Sequence, residues 1–215
     1  MTNIARIIKK KRSLIMPEKF SQRDEEPYIL KVFEDMDNGR FLDIGAHDGE
    51  TFSNTRALAL KGWGGVLVEP SLSVLPALRE RYGGNDKYRI LECGIGLKRG
   101  SFSLFDSRGD LVSSFDEEHK KLWEKKGGTV FDEIQRPVMS VKDLFETVGY
   151  EFDFISLDAE AWSLDILEVL PFSDLRRVRM ICVEFDLNPQ RVLDAVEKHG
   201  YRQIHQTAEN ILVVK

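Results

Sequence analysis

The chain has 215 residues, which at roughly 150 residues per domain reads as one domain, long enough to bury a core without disulfides or a structural metal. Lys and Arg number 31 against 36 Asp and Glu, a net charge of −5, so a global basic field for gripping nucleic acid is excluded and DNA or RNA would be a local partner only. Hydrophobic residues at 42% and charged residues at 31% fit a globular fold rather than a disordered chain, and no window approaches the length of a membrane span.

In chain order, residues 1–20 form a basic extension in which Arg6, Lys9, Lys10, Lys11, Arg12 and Lys19 oppose only Glu18. Leu14-Ile15-Met16-Pro17 is too short an apolar run for a secretory signal. Ile4, Ile7 and Ile8 share one helical face, which reads as a solvated helix docked on the domain, with an anionic surface as the alternative.

From residue 21 to 215 the sequence reads as a single α/β domain. Apolar runs at Arg40 to Ala46, Gly65 to Glu69, Tyr88 to Gly94, Ser101 to Phe105, Phe152 to Asp158 and Met180 to Phe185 alternate with amphipathic stretches. That is the pattern of parallel strands joined by crossover helices. Val66-Leu67-Val68 and Ile155-Ser156-Leu157 are apolar on both faces and belong at the sheet centre. Helices are expected at Thr51 to Lys61, Ser73 to Tyr82, Val141 to Val148, Ser163 to Leu170 and Pro189 to His199, the last with Asn188 as N-cap and Gly200 as its stop. Tyr201 to Thr207 and Asn210 to Val214 are separated by Ala208 and Glu209 alone, a gap that fits an antiparallel hairpin and no crossover helix.

Between Asp106 and Pro137 a charged stretch with a helix-like Glu117 to Lys126 and a Gly127-Gly128 break interrupts this rhythm. It is a candidate substrate lid, with a surface insertion as the plain alternative. Cys93 and Cys182 each lie inside an apolar run, the setting of reduced, buried thiols, and this points to the cytoplasm.

Phe41-Leu42-Asp43-Ile44-Gly45-Ala46-His47-Asp48-Gly49 is a strand entering a glycine turn ahead of a helix. Such a turn lets backbone approach a ligand closely and presents free N–H groups to it. The glycines are Gly45 and Gly49, which departs from the G-x-G-x-x-G of nicotinamide sites. Glu69, at the end of the next strand, is placed to hold the two hydroxyls of a ribose.

With Asp43-Ile44-Gly45-Ala46-His47-Asp48-Gly49-Glu50-Thr51-Phe52-Ser53-Asn54-Thr55, then Gly62-Trp63-Gly64-Gly65-Val66-Leu67-Val68-Glu69-Pro70, then Phe152 to Glu160, the chain resembles the FkbM family of S-adenosylmethionine-dependent methyltransferases, over about Ser21 to Lys215. The resemblance implies a Rossmann-like class I methyltransferase sandwich, a mostly parallel seven-stranded sheet with a C-terminal antiparallel hairpin. Position by position it makes Asp43, Gly45, Ala46 and Gly49 the floor of the S-adenosylmethionine site. Thr51, Ser53 and Asn54 fall near the methionine end, Glu69 on the ribose, Cys93 and Gly94 beside the adenine, and Asp158 toward the reactive methyl. One departure stands out: where the family has glycine after its D-x-E motif, Asp158-Ala159-Glu160 is followed by Ala161.

Methyl transfer is an in-line displacement governed by positioning, and a hydroxyl acceptor also benefits from a base. Asp158 and Glu160 are the first candidates, with His47 third; His199 and His205 read as a helix-end cation and a strand surface residue. A divalent cation shared by Asp158 and Glu184, as in catechol-type O-methyltransferases, is a further expectation that the sequence leaves open. The leading function is O-methylation of a hydroxyl on a sugar or small-molecule metabolite; the alternative is a cofactor-binding protein of the same fold without turnover.

Overall fold

The computed structural model describes residues 19–215, so the isoleucine face and most of the basic extension lie outside the described residues. Helix α1 (Glu25–Val32) precedes strand β1 (Arg40–Ile44), α2 (Arg56–Leu60), β2 (Gly64–Val68), α3 (Leu75–Tyr82) and β3 (Tyr88–Leu91). Strands β4 (Gly94–Gly96) and β5 (Gly100–Asp106), helix α4 (Glu117–Gly127) and β6 (Asp132–Ser140) follow. The chain closes with α5 (Val141–Val148), β7 (Phe154–Leu157), α6 (Ser163–Glu168), β8 (Met180–Glu184), α7 (Pro189–Val196), β9 (Arg202–Gln206) and β10 (Asn210–Val214).

The main sheet has seven strands in the order β3-β2-β1-β7-β8-β10-β9. The first five run parallel, and β10 is antiparallel to both β8 and β9, the hairpin expected from the two-residue gap. Alternate residues of each strand feed opposite faces. Leu42, Val66, Ile155 and Ile181 pack with α5, α6 and α7 in one core, while Phe41, Leu67, Phe154 and Met180 pack with α1, α2 and α3 in the other. The strand order reverses between β1 and β7, and the crevice beyond the carboxyl ends of adjacent strands at such a point is where α/β sheets bind ligands.

Several elements differ from the sequence expectation. The apolar run Tyr88 to Gly94 divides into β3 and β4, because the chain leaves the main sheet after Leu91. Strands β4 and β5 instead join a three-stranded sheet through β6. Strand β6 was not expected: it lies within the charged insertion, carries Pro137, and is mostly half-exposed, so it lacks the apolar signal of the central strands. Helix α1, also unexpected, buries Ile29 and two glutamates. Helix α2 starts at Arg56 instead of Thr51 because Asp48 takes the N–H of Glu50 and Thr51, and Ser53 Oγ takes those of Thr55 and Arg56.

Candidate active site

A cavity of about 630 Å³ opens at the switch point, within the range of small-molecule and cofactor sites. The turn after β1 forms its floor. Gly45 has φ +88 and lies so close to the Asp158 carbonyl that a Cβ would overlap it; no other residue fits. The N–H groups of Gly45 and Ala46 donate to Val68 O at 3.0 and 3.1 Å, and Asp158 N donates to Ile44 O at 2.9 Å, which fixes the turn between β2 and β7.

Asp43, Gly45, Ala46, His47, Thr51, Ser53, Asn54, Glu69, Cys93, Gly94, Asp158 and Glu160 all line this cavity. Gly49 does not: it packs against Leu78 and Tyr82 of α3, and its carbonyl accepts the Tyr82 hydroxyl at 2.9 Å. Gly94 makes room for a flat ring, and that ring is the chain's own Phe115, stacked on Trp162 at 4.9 Å.

Asp43 accepts a hydrogen bond from Thr55 Oγ1 at 2.6 Å, and burial lifts its pKa to about 7. Glu69 accepts from His47 N at 2.8 Å and Ser71 N at 2.7 Å. Burial nevertheless outweighs these bonds and raises it to about 7. Both ring nitrogens of His47 and Asn54 Oδ1 are sealed from solvent without a hydrogen-bond partner. Orphaned polar atoms beside a cavity mark positions where a ligand completes the hydrogen bonding.

At the other end of the cavity burial raises Asp158 to about 6. It also pushes Glu160 and Glu184 well above the carboxylate range, with the charges of Asp158 and Asp186 adding to the effect. Asp158, Glu160 and Glu184 offer oxygens that all lie within 4.8 Å of one another, an arrangement able to hold a cation. The segment after β5 closes over this cluster. Ser114 Oγ donates to Glu160 O at 2.9 Å, and His119 Nε2 lies 3.3 Å from Glu160 Oε2. Asp116 caps α4 by accepting His119 N at 2.7 Å, which sets the imidazole over the pocket. His119 was not among the residues singled out from sequence: a histidine in the first turn of a charged helix carries no motif, and only the packing of α4 over Glu160 reveals it. His199, by contrast, stacks on Phe172 at 4.1 Å and His205 on Tyr28 at 3.8 Å, outside the cavity lining.

Solved structures of similar fold include monomeric WbdD (13% identity, TM-score 0.48, covering 90% of this chain and 42% of that one). A precorrin-6y C5,15-methyltransferase from Geobacter metallireducens GS-15 has 13% identity and TM-score 0.47, with 92% and 89% covered. Fibrillarin in complex with Nop5p has 15% identity and TM-score 0.40, with 82% and 71% covered. The chain thus spans under half the length of the WbdD structure. No curated protein sequence matches the chain. The model of the methyltransferase FkbM domain matches residues 43–203, a span running from the Asp43 turn through Glu69, Asp158 and Glu184 into β9. The chain belongs to the FkbM methyltransferase-domain family.

Proposed function

We propose that the protein is an S-adenosylmethionine-dependent methyltransferase acting on a hydroxyl of a sugar or small-molecule metabolite. The observation that carries this reading is the cradle at Gly45: a turn that admits no Cβ, flanked by Glu69. Once its two backbone bonds are made, the Glu69 carboxylate keeps acceptor capacity for two ribose hydroxyls. Asp43 and the orphaned Asn54 Oδ1 suit the ammonium of the methionine moiety, with Thr51 and Ser53 beside them. Cys93 and Gly94, backed by Phe115, border the adenine.

When bound, the cofactor supplies an electrophilic methyl group. The chain's own work is then to orient the acceptor, exclude water and receive a proton. Asp158 and Glu160 are the groups for that last task, since burial raises both above the usual carboxylate range, Asp158 to about 6, and so strengthens each as a proton acceptor. His47 holds its backbone N–H on Glu69 and serves the cofactor side more directly than the acceptor. Ala161, at φ +72, takes the left-handed backbone that glycine adopts freely, so the alanine occupies here a conformation open to the glycine of the family pattern. That favours turnover over a protein that binds the cofactor without using it. Cys93 and Cys182 are free and buried, as suits a reducing cytoplasm, and no helix among the described residues is long and apolar enough to cross a membrane.

Calorimetry tests the reading. S-adenosylhomocysteine should bind at low micromolar strength or tighter and NAD should give no heat; tight NAD binding without a response to the sulfonium or its product would overturn it.

A further inference from the structure

The end of the cavity where β7 and β8 finish gathers carboxyl groups with no lysine or arginine paired to them among the described residues. Asp158, Glu160 and Glu184 converge there, and Asp186 acts on all three. Among the described residues the cationic types in reach are the imidazoles of His119, beside Glu160, and His47, which acts on Asp158. Oxygens around Mg²⁺ lie at most ~4.2 Å apart and those around Ca²⁺ at most ~5 Å, and the three carboxyl oxygens, all within 4.8 Å of one another, come to such spacing by small movements of the side chains.

Two observations separate this cluster from a solvated acidic patch. Glu184 Oε2 is sealed from solvent and accepts no hydrogen bond from any N–H or hydroxyl group, so the Glu184 and Asp158 carboxyls can be held together only by a shared proton or by a cation. From a different element, His119 Nε2 is also sealed, makes no aligned hydrogen bond, and lies 3.3 Å from Glu160 Oε2. Three hard oxygens are a donor set for Mg²⁺ or Mn²⁺, and His119 stands behind Glu160, positioned to orient that ligand.

We propose that Asp158, Glu160 and Glu184 form a divalent-cation site that His119 closes from α4. The cation neutralises the cluster and ties the segment after β5 to the ends of β7 and β8, so occupancy of the site and docking of α4 become one equilibrium. The inference deepens the methyl-transfer reading: with the cation bound, Asp158 and Glu160 serve as its ligands in place of a general base, and the cation's catalytic role, polarising an acceptor hydroxyl at the Asp158 end of the cavity, rests on that reading, whereas binding itself does not.

The test titrates Mn²⁺ into the full-length protein and follows the free ion by electron paramagnetic resonance. One saturable Mn²⁺ per chain is expected, weakened ~10-fold or more in Glu184→Gln and to a smaller extent in His119→Ala, and unchanged in Asp132→Asn, whose carboxylate pairs with Arg108 at the surface. Folding is read on the same samples by melting temperature. Without metal, Glu184→Gln should melt at or above the wild type because a repelling charge is gone, and Mn²⁺ should raise the melting temperature of the wild type and Asp132→Asn alike but that of Glu184→Gln far less. Equal Mn²⁺ affinity in the wild type and Glu184→Gln overturns the site. S-adenosylhomocysteine binding, measured on the same preparations, separates the two failures: intact cofactor binding without Mn²⁺ binding overturns the cation site alone, and Mn²⁺ binding without cofactor binding overturns the methyltransferase reading alone.

Discussion

At the residue scale, Ala161 and Glu160 form a left-handed pair, with φ of +72 and +39, in the loop that brings Glu160 to the pocket. Each is a backbone state that costs an L-residue roughly 1–2 kcal/mol. Contacts from three sides hold it: Ser114 on the Glu160 carbonyl, Ser163 Oγ on Ala159 N at 2.8 Å, and Trp162 stacked on Phe115. Ala161→Gly should therefore stabilise the protein by up to ~1 kcal/mol after the extra freedom of glycine in the unfolded chain is counted, as urea denaturation would measure. A destabilisation of that size would mean the methyl group packs and the strain is small. Glu69 calls for a different pair of substitutions, because its carboxylate both holds the turn and faces the cavity. Glu69→Gln keeps one acceptor oxygen for two N–H groups, so it should weaken S-adenosylhomocysteine binding by ~1–2 kcal/mol and lower the melting temperature less than Glu69→Ala does. Glu69→Ala leaves the N–H groups of His47 and Ser71 without acceptors and should also cost ~1–3 kcal/mol of stability. Calorimetry beside thermal melts of both variants separates the two contributions.

At the scale of elements, the segment from Asp106 to Pro137 divides into parts with different holds on the molecule. Its ends are strands, β5 and β6, paired from Gly100 to Asp106 against Asp132 to Val138. Its middle, α4, has no buried residue and is held through Ser114, Phe115 and His119. We propose that this middle is the mobile cover of the acceptor pocket. Hydrogen exchange in Glu117–Gly127 should slow when S-adenosylhomocysteine binds, whereas protection in β5 and β6 stays as it was; slow exchange in α4 without ligand would show a fixed surface element instead. The sequence exposes these parts unequally. Strands β1, β2, β7 and β8 are covered on both faces and so read as apolar runs, and Asn188 and Gly200 delimit the α7 region because capping is local chemistry. Strand β6 is patterned by solvent on one side and by a short sheet on the other, which leaves charge and a proline in view. The floor of the site is local in sequence, in the Asp43 to Asn54 turn, and a motif can record it. The contact between His119 and Glu160 joins residues that only the tertiary fold brings together, and no spacing rule announces it.

At the scale of the whole molecule, the carboxylates gathered at the switch point set the response to pH. Asp43 and Glu69 both stand at about 7 in the fold, against ~4 for the same groups in an unfolded chain. The native state therefore keeps protons that the unfolded state releases between those values. Their contribution is fully present below pH ~4 and is lost as pH rises through about 7. Asp106 and Asp43 face Glu69, and Asp158 faces Asp43, so neighbouring charges reinforce the direction that burial sets. The opposing groups are surface carboxylates held below their usual range, such as Glu92 beside Arg79 and Asp132 beside Arg108. They lose stability only in acid and are screened by solvent. The ligand-free protein should accordingly be most stable on the acid side of neutrality, near pH ~5, and weaken toward pH ~8 with a slope of up to ~1.4 kcal/mol per unit for each titrating group. Urea denaturation at several pH values in the absence of divalent cations measures this slope. Glu69→Gln, which cannot ionise, should flatten it by the share of one group while leaving the acid limb intact. A slope unchanged in that variant would place the titration elsewhere in the cluster, and a stability that rises from pH 5 to 8 would show that the site is built to hold these carboxylates ionised even when empty.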